Sequence, residues 1–475
     1  MPQPHRLFVR HHLPASSRWS GVRRAVLVAI AAAALLIPVA PTAIAQTPAT
    51  DEPTAGQQTA PNGDIVLEID GRARRQLRLA FPEADVDDGL RGDYLAAARE
   101  IEQTLRDDLD RMRLFNTMGP TELSVLVLTG AQDRDFDQYR SLGNEVVLLT
   151  RISQDGDRIV LDGWGYDLPS KQSILGKRYR GTVDQARLLA HYLADALHFQ
   201  FMGRPSLALT SIVFQSDRDG YQELYLMDYD GQNQRRITGH KSTSGYGTWS
   251  PRGDAIAYMS YFSGTPGIYY VELSTGEKLP VYREGVLNLS PSFSADGSQV
   301  AFASSVDSNV DVYICPRSCT TPRRLTTSRG IDTNPAISPD GTQIAFTSSR
   351  SGRPHIYVMN AADGSGVRRL SFEGNYNEGA SWNHDGSKIV YASRVGNRFR
   401  LLVTDLIDLT TRVVAEGPRS YEEPSFSPDG GNIVYTVRDG QRSQVWSMNA
   451  DGSDPRQLTF QGSSSAPSWG PLPRR

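Results

Sequence analysis

A seven-residue phrase recurs through the second half of the chain at nearly constant spacing, and this period constrains the fold more than any other feature. "GTWSPRG" begins at Gly247, "PSFSADG" at Pro291, "PAISPDG" at Pro335, "ASWNHDG" at Ala380, "PSFSPDG" at Pro424 and a truncated "PSWGP" at Pro467. The third position is always apolar: Trp249, Phe293, Ile337, Trp382, Phe426 and Trp469, at steps of 44, 44, 45, 44 and 43 residues. A short apolar run follows each complete copy, from Ile256-Ala-Tyr258 to Ile433-Val-Tyr435. A third segment comes next, such as "HIYVMNAADG" from His355, and a fourth often ends in Arg-x-Leu/Ile-Thr, as at Thr238, Thr326 and Thr459. The alternation within "IAFTSS" and "IYVMN" has the period of two that a strand needs. Pro-Asp-Gly is turn chemistry, because proline presets φ, aspartate bonds nearby backbone and glycine accepts positive φ. Four short strands per repeat of about 44 residues is the arithmetic of a β-propeller blade.

The first repeat lacks the phrase and the last has nothing else. Ile212-Val-Phe214 precedes the first copy, and Ser465–Gly470 carries the last. Pairing Ser465–Gly470 with the strands of Ile212–Thr238 closes the ring at six blades and leaves no open sheet edge. The expected architecture is mainly β: a six-bladed β-propeller of WD40-like repeats over residues 206–475, preceded by a small α+β domain over residues 65–205.

Residues 65–205 follow a different pattern. Ile65–Ile69, Leu77–Phe81, Leu123–Leu128, Val146–Ile152, Arg158–Leu168 and Ile174–Arg180 read as strands. Asp93–Phe115 reads as an amphipathic helix with Leu95, Ala98, Ile101, Leu105, Leu109 and Met112 along one stripe. Thr182 caps a second helix, Val183–Met202, with Leu188, Tyr192 and Leu197 on one face. Both stripes are read as core.

Residues 1–24 carry Arg6, Arg10, Arg18, Arg23 and Arg24 and no acid; Ala25–Val39 is then a 15-residue apolar run, and Ala43-Ile-Ala45 a small-x-small site. That is the pattern of a secretory signal peptide over residues 1–45, cleaved after Ala45. The run is short of the roughly 20 residues of a membrane span, so no integral span is expected once the leader is gone. Residues 46–64, rich in Thr, Pro, Gln, Ala and Gly, read as a flexible tail. Loss of the leader leaves 45 basic against 53 acidic side chains, a balance of −8. With no basic stripe or base-stacking motif, nucleic acid is not an expected partner. The two cysteines, Cys315 and Cys319, flank "PRS". A zinc site would need two more ligands nearby; in an oxidising compartment the pair reads as a small disulfide across a strand-end loop.

A propeller alone leaves activity open. The chain has no G-x-S-x-G elbow and no H-E-x-x-H. His191 and His198 lie seven apart on the second helix, while His240, His355 and His384 hold scattered blade positions. Histidines meeting at the channel would make a metal-dependent lyase, the enzymatic alternative. Asp228-Tyr-Asp230 reads as a turn rather than a calcium loop. The expectation is a chain that is not an enzyme and needs no cofactor or metal.

The leader, the small α+β domain and the six repeats together resemble the TolB family, periplasmic propeller proteins of the Tol-Pal system of Gram-negative bacteria. "ARLLAHYLADALHFQFMG" at Ala186–Gly203 is similar to the family's AH-x-x-AD helix before the first blade, and "REIEQTLRDDLDRMRLF" resembles its first helix. Thr210-Ser-Ile212 stands where the family usually has Thr-Arg-Ile. The resemblance implies a periplasmic protein without catalytic activity that binds the Pal lipoprotein at the propeller. It further implies TolA binding through an N-terminal segment, here 46–64 and Ile65–Ile69, and a part in outer-membrane integrity and in constriction during cell division. The alternative is a TolB-like secreted propeller with another ligand. The docking surface is expected on the loops entering the innermost strands, because variable loops on a repeated scaffold are where binding usually resides. Positions matching the family's contacts include Asn288, Thr333, Asn334 and Glu378. Tyr376 and Tyr421 are the expected apolar anchors, with Glu422 beside them.

Overall fold

The computed structural model describes residues 75–126 and 136–474. The leader, the tail and the strand expected at Ile65–Ile69 lie outside the described residues.

The N-terminal sheet runs in the order Phe115–Met118, Leu77–Ala80, Val146–Asp155, Arg158–Asp167, Gln172–Gly181, with Asp85–Val86 added beside Val146–Asp155. Its first three strands are parallel and its last three antiparallel. Helices Gly92–Arg111 and Ala186–Met202 cover one face, where Ile101, Leu105 and Leu109 meet Leu189, Leu193 and Leu197 over Leu79, Leu148 and Leu161. Gly163 lets the second helix lie this close, since a Cβ there would stand 2.4 Å from Leu193 Cδ1.

Three local expectations are corrected here. The first helix ends at Arg111, not Phe115, because Arg113 turns left-handed (φ 54°) and Phe115–Met118 joins the sheet beside Leu77–Ala80. Leu123 closes a short helix, Pro120–Leu123, instead of opening a strand. Proline suits the first turn, and Glu122 accepts the Gly119 N–H at 2.7 Å. The second helix buries Leu189, Leu193 and Leu197 and leaves Leu188 and Tyr192 exposed. Its sequence is apolar on almost every side, so a spacing of three to four fits more than one phase.

Six four-stranded antiparallel sheets follow. The repeated phrase supplies the innermost strand of each: Ser244–Trp249, Asn288–Phe293, Asp332–Ile337, Asn377–Trp382, Ser420–Phe426 and Ser464–Trp469 for blades one to six. Blade six closes the ring: Ser464 lies opposite Ser216 and Trp469 opposite Ile212. Trp469 Nε1 also donates to Thr210 Oγ1 at 2.9 Å.

The hydrogen bonds show why the phrase recurs. In "PSFSPDG" the first serine, Ser425, accepts the N–H of Trp469 in the next blade at 3.2 Å, and Ser381 and Ser292 do the same for Phe426 and Ile337. The second serine, Ser427, donates to Asp429 Oδ1 at 2.6 Å and accepts the Asn432 N–H at 2.9 Å. Gly430 takes the positive φ of the turn, 72°. The threonine of Arg-x-Leu/Ile-Thr ties blades internally: Thr238, Thr326 and Thr459 accept N–H bonds from Leu224, Val312 and Val445 on the third strands.

Ala73–Arg475 is one compact unit, and charge helps to join its two folded parts. Blade six's third strand, Glu223–Asp228, ends in a turn closed by Asp230, whose Oδ1 accepts the Gln232 N–H at 3.0 Å. Arg187 donates to Asp230 Oδ2 at 2.6 Å and to Thr104 Oγ1 at 3.0 Å. Buried His191 stands with Nδ1 2.7 Å from Asp108 Oδ2 and Nε2 3.7 Å from Asp228 Oδ2, and the Tyr229 hydroxyl donates to Asp108 Oδ1 at 2.7 Å. Burial opposes a charged ring, but Asp108 and Asp228 outweigh it and raise His191 to about 9. Asp195 accepts the Ser206 N–H at 2.6 Å, fixing the strand entrance after the helix.

Candidate functional site

Strand direction sorts the propeller loops onto two faces. Each innermost strand starts on one face, the channel mouth, and ends on the other. Because neighbouring strands are antiparallel, the loops between second and third strands share the mouth face, and the turns between third and fourth strands share the far face. The Tyr229 turn that meets Arg187 and His191 is on the far face, so the mouth is remote from the N-terminal domain.

Every innermost strand is bulged at the same place. Pairing shifts between Gly245 and Thr248, Leu289 and Ser292, Thr333 and Ala336, Glu378 and Ser381, Glu422 and Ser425, and Ser465 and Ser468. The central residue is left-handed in all six: Tyr246, Ser290, Asn334, Gly379, Glu423 and Ala466, with φ between 48° and 66°. Such a conformation costs a non-glycine residue roughly 1–2 kcal/mol. The bulge turns backbone donors toward the preceding blade: the N–H of Ala466 meets Glu423 Oε2 at 2.7 Å, that of Gly379 meets Thr347 Oγ1 at 3.2 Å, and that of Tyr246 meets Gln215 Oε1 at 3.2 Å.

Around this ring the structure brings together Tyr376, Glu378 and Glu422. The Tyr376 hydroxyl donates to Glu378 Oε2 at 3.2 Å, and Arg438 grips Glu422 through Nη2 at 2.9 Å and Nε at 3.2 Å. Glu423 accepts from the Thr436 hydroxyl at 2.8 Å. Burial pushes Glu378 up; the Tyr376 hydroxyl pulls it down, and Glu422 and Glu423 push it up again, to about 7. Thr333 and Asn334 are half-buried on blade three's innermost strand, and Asn334 Nδ2 donates to Ser290 Oγ at 3.2 Å. Sequence reasoning missed Tyr246, Glu423 and Arg438. The first two could have been found as the residue directly before the glycine or proline that opens each phrase.

Two expected contact residues are corrected. Asn288 is fully buried, and its Nδ2 donates to the carbonyls of Pro266 and Glu284 at 2.9 and 2.8 Å. It ties its loop down and has no surface to offer; Asn377 does the same for the Glu373 carbonyl in blade four. Tyr421 turns away from the channel and packs between blades four and five, 6.2 Å from the Tyr435 ring. The exposed apolar side chains of the mouth face lie elsewhere. Phe262 (59 % exposed), Val286 (80 %), Phe372 (71 %) and Phe460 (73 %) stand on its loops, with the His240 ring tilted against Phe262 at a centroid distance of 4.4 Å.

The histidines do not converge. His191 and His198 belong to the N-terminal domain, and His355 is buried, accepting from Asn377 Nδ2 at 3.0 Å and Arg369 Nη2 at 3.2 Å. Burial and Arg369 lower it to about 4. Among the described residues no group of three His, Cys, Asp or Glu side chains is arranged to hold a metal ion. The disulfide expected between Cys315 and Cys319 is not formed in this structure: both cysteines are free, Cys315 buried and Cys319 half-buried, with the thiols in contact.

A family profile described as the TolB beta propeller domain matches residues 201–473, more than half of the chain. The chain belongs to the TolB family. The Tol-Pal system protein TolB of Bordetella avium is 33% identical over 419 residues, which cover 87% of this chain and 92% of that protein. An alignment of this length exceeds the propeller, so the likeness to TolB takes in the α+β domain as well. A protein TolB homolog of Chlorobium chlorochromatii is 32% identical over 239 residues, 50% of this chain and 54% of the relative, about half its length. The crystal structure of TolB from Acinetobacter baumannii superimposes with a TM-score of 0.71 at 26% identity, covering 84% of this chain and 97% of that one. Among the described residues, no helix is long and apolar enough to cross a membrane.

Proposed function

We propose that this TolB-family chain is a non-enzymatic binding module of the Tol-Pal system in the periplasm. It docks the Pal lipoprotein on the mouth face and engages TolA through its N-terminal segment, residues 46–64 and Ile65–Ile69. In this role it supports outer-membrane integrity and envelope constriction in cell division. Residues 1–45 serve as the export signal.

One observation carries the reading. The face turned away from the N-terminal domain combines exposed Phe262, Val286, Phe372 and Phe460 with the half-buried polar groups Thr333, Asn334, Glu378 and Glu422 around the channel. Exposed apolar side chains rimmed by polar groups mark interaction surfaces. Covering the four apolar side chains yields about 6–10 kcal/mol before the costs of association. That suits a reversible complex, with the polar ring setting orientation.

The test is calorimetric titration of the mature protein, with and without residues 46–74, against the soluble domains of Pal and TolA. The reading expects Pal binding by both forms and TolA binding only by the longer one. Absence of Pal binding by either form would overturn it.

A further inference from the structure

Cys315 is the fifth residue of blade two's third strand, Asp311–Pro316, in register with Val300. Its side chain points the same way as that of Tyr313 and is buried among Phe293, Phe302 and Tyr282. The chain then turns through Arg317 and Ser318 and brings Cys319 back onto the same cluster, so that the two thiols touch. Their surroundings differ. Cys319 lines an open groove of about 610 Å³ with Ser263, Thr265, Tyr282, Glu284 and Ser318, while Cys315 has no surface there.

We propose that Cys315 and Cys319 are an oxidisable pair with divided roles: Cys319 exchanges first with an external disulfide through the groove, and Cys315 resolves the mixed disulfide. The product is an internal bond that pins the loop of residues 317–320 to the blade-one side of blade two.

The steps balance. The Cys319 thiolate attacks one sulfur of an oxidant R–S–S–R′, forming a Cys319–S–S–R bond and releasing R′–S⁻. The Cys315 thiol loses its proton and attacks the Cys319 sulfur, releasing R–S⁻. Two electrons pass to the oxidant, and the two protons end on its released thiols. Access selects the first attacker, since thiol exchange follows exposure and thiolate character. Burial pushes the Cys315 thiol well up, and the Cys319 thiol beside it adds to the rise. Burial also raises Cys319, but the contact with Cys315 works in the opposite direction there, favouring its thiolate. Cys315 therefore becomes a useful nucleophile only when a sulfur has been delivered next to it. The proposal needs oxidising surroundings only for its oxidant, which the experiment supplies, so it stands or falls apart from the Tol-Pal reading.

The experiment uses the whole mature chain, purified reduced, exposed to glutathione disulfide and then alkylated and weighed by mass spectrometry. The parent should become refractory to alkylation, lose the mass of two hydrogens and carry no glutathione. The Cys315→Ser variant should accumulate one glutathione on Cys319, and the Cys319→Ser variant should stay unmodified while folded. Brief alkylation of the reduced parent gives the order without any variant: Cys319 should react at least tenfold faster than Cys315. Two thiols still alkylatable after oxidation would overturn the pairing. Equal labelling of both positions, or glutathione on Cys315 in the Cys319→Ser variant, would overturn the order.

Discussion

Replacing His191 by glutamine tests the charged joint between the N-terminal domain and the propeller. The ring lies between Asp108 on its own domain and Asp228 on the blade-six turn, with Arg187, Tyr229 and Asp230 around it. The folded ring titrates at about 9 against 6.5 when free. A base raised in this way stabilises the folded state fully below pH 6.5, and the gain fades as pH climbs through 9. The gap corresponds to roughly 3 kcal/mol of attraction felt by the ring, while burial still raises the Asp108 carboxyl opposite it despite the His191 contact, so this figure is the ceiling for the pair. Glutamine has nearly the same reach and can still donate an amide N–H to Asp108, but it carries no charge, so the buried carboxylate loses its cation and keeps only neutral donors, the amide and the Tyr229 hydroxyl. The His191→Gln variant should therefore lose up to about 3 kcal/mol at pH 7 in urea unfolding followed by tryptophan fluorescence. The deficit should shrink toward pH 10, where the parent has lost its own proton. A variant as stable as the parent at pH 7 would refute the charged joint. So would a deficit that is the same at both pH values, since packing alone would then account for it.

Glu378 should show the opposite sign. Its folded carboxyl keeps a proton up to about 7 against 4.5 when free, so ionisation costs stability as pH rises between those values and the cost is complete above 7. With solvent reaching the channel, Glu378→Gln should gain about 1–2 kcal/mol at pH 8 and nothing at pH 4.5, read from urea midpoints at the two pH values. Ser425→Ala removes the acceptor of the Trp469 N–H and should cost about 1–2 kcal/mol, measured by thermal melting. Deleting residues 464–475 leaves the edge of Ser211–Ser216 unpaired; light scattering should report concentration-dependent association that the full chain does not show.

The blades are legible in the sequence because each repeat carries its own turn chemistry. Ser427, Asp429 and Gly430 close a turn whose bonds lie within a few residues, and local bonds leave local signatures. The ring closure is legible for a related reason, since the missing innermost strand of one terminal repeat is supplied by the other. The N-terminal domain is less legible. Its second helix offers more than one apolar face, and only the sheet beneath it decides that Leu189 and not Leu188 is covered. The candidate site is readable at the level of loops but not of side chains. Tyr421 and Asn288 have the right position and the wrong direction, and direction is set by blade-to-blade packing that a repeat does not encode. His191 and Asp108 are 83 residues apart and meet only because both helices pack on one sheet face, so neither signals the other in the sequence.

One calorimetric comparison tests most directly whether Pal docks on the mouth face, as proposed. Phe372 and Phe460 stand on mouth loops, and exposed Ile407 and Leu409 stand on a far-face turn of blade four. The soluble domain of Pal would be titrated into the parent, into a Phe372→Ala, Phe460→Ala double variant and into an Ile407→Ala, Leu409→Ala double variant, each confirmed folded. Loss of two aromatic anchors should weaken binding by roughly ten- to a hundredfold, while the far-face variant binds like the parent. Full affinity in the mouth variant together with weakened binding in the far-face variant would contradict the claim.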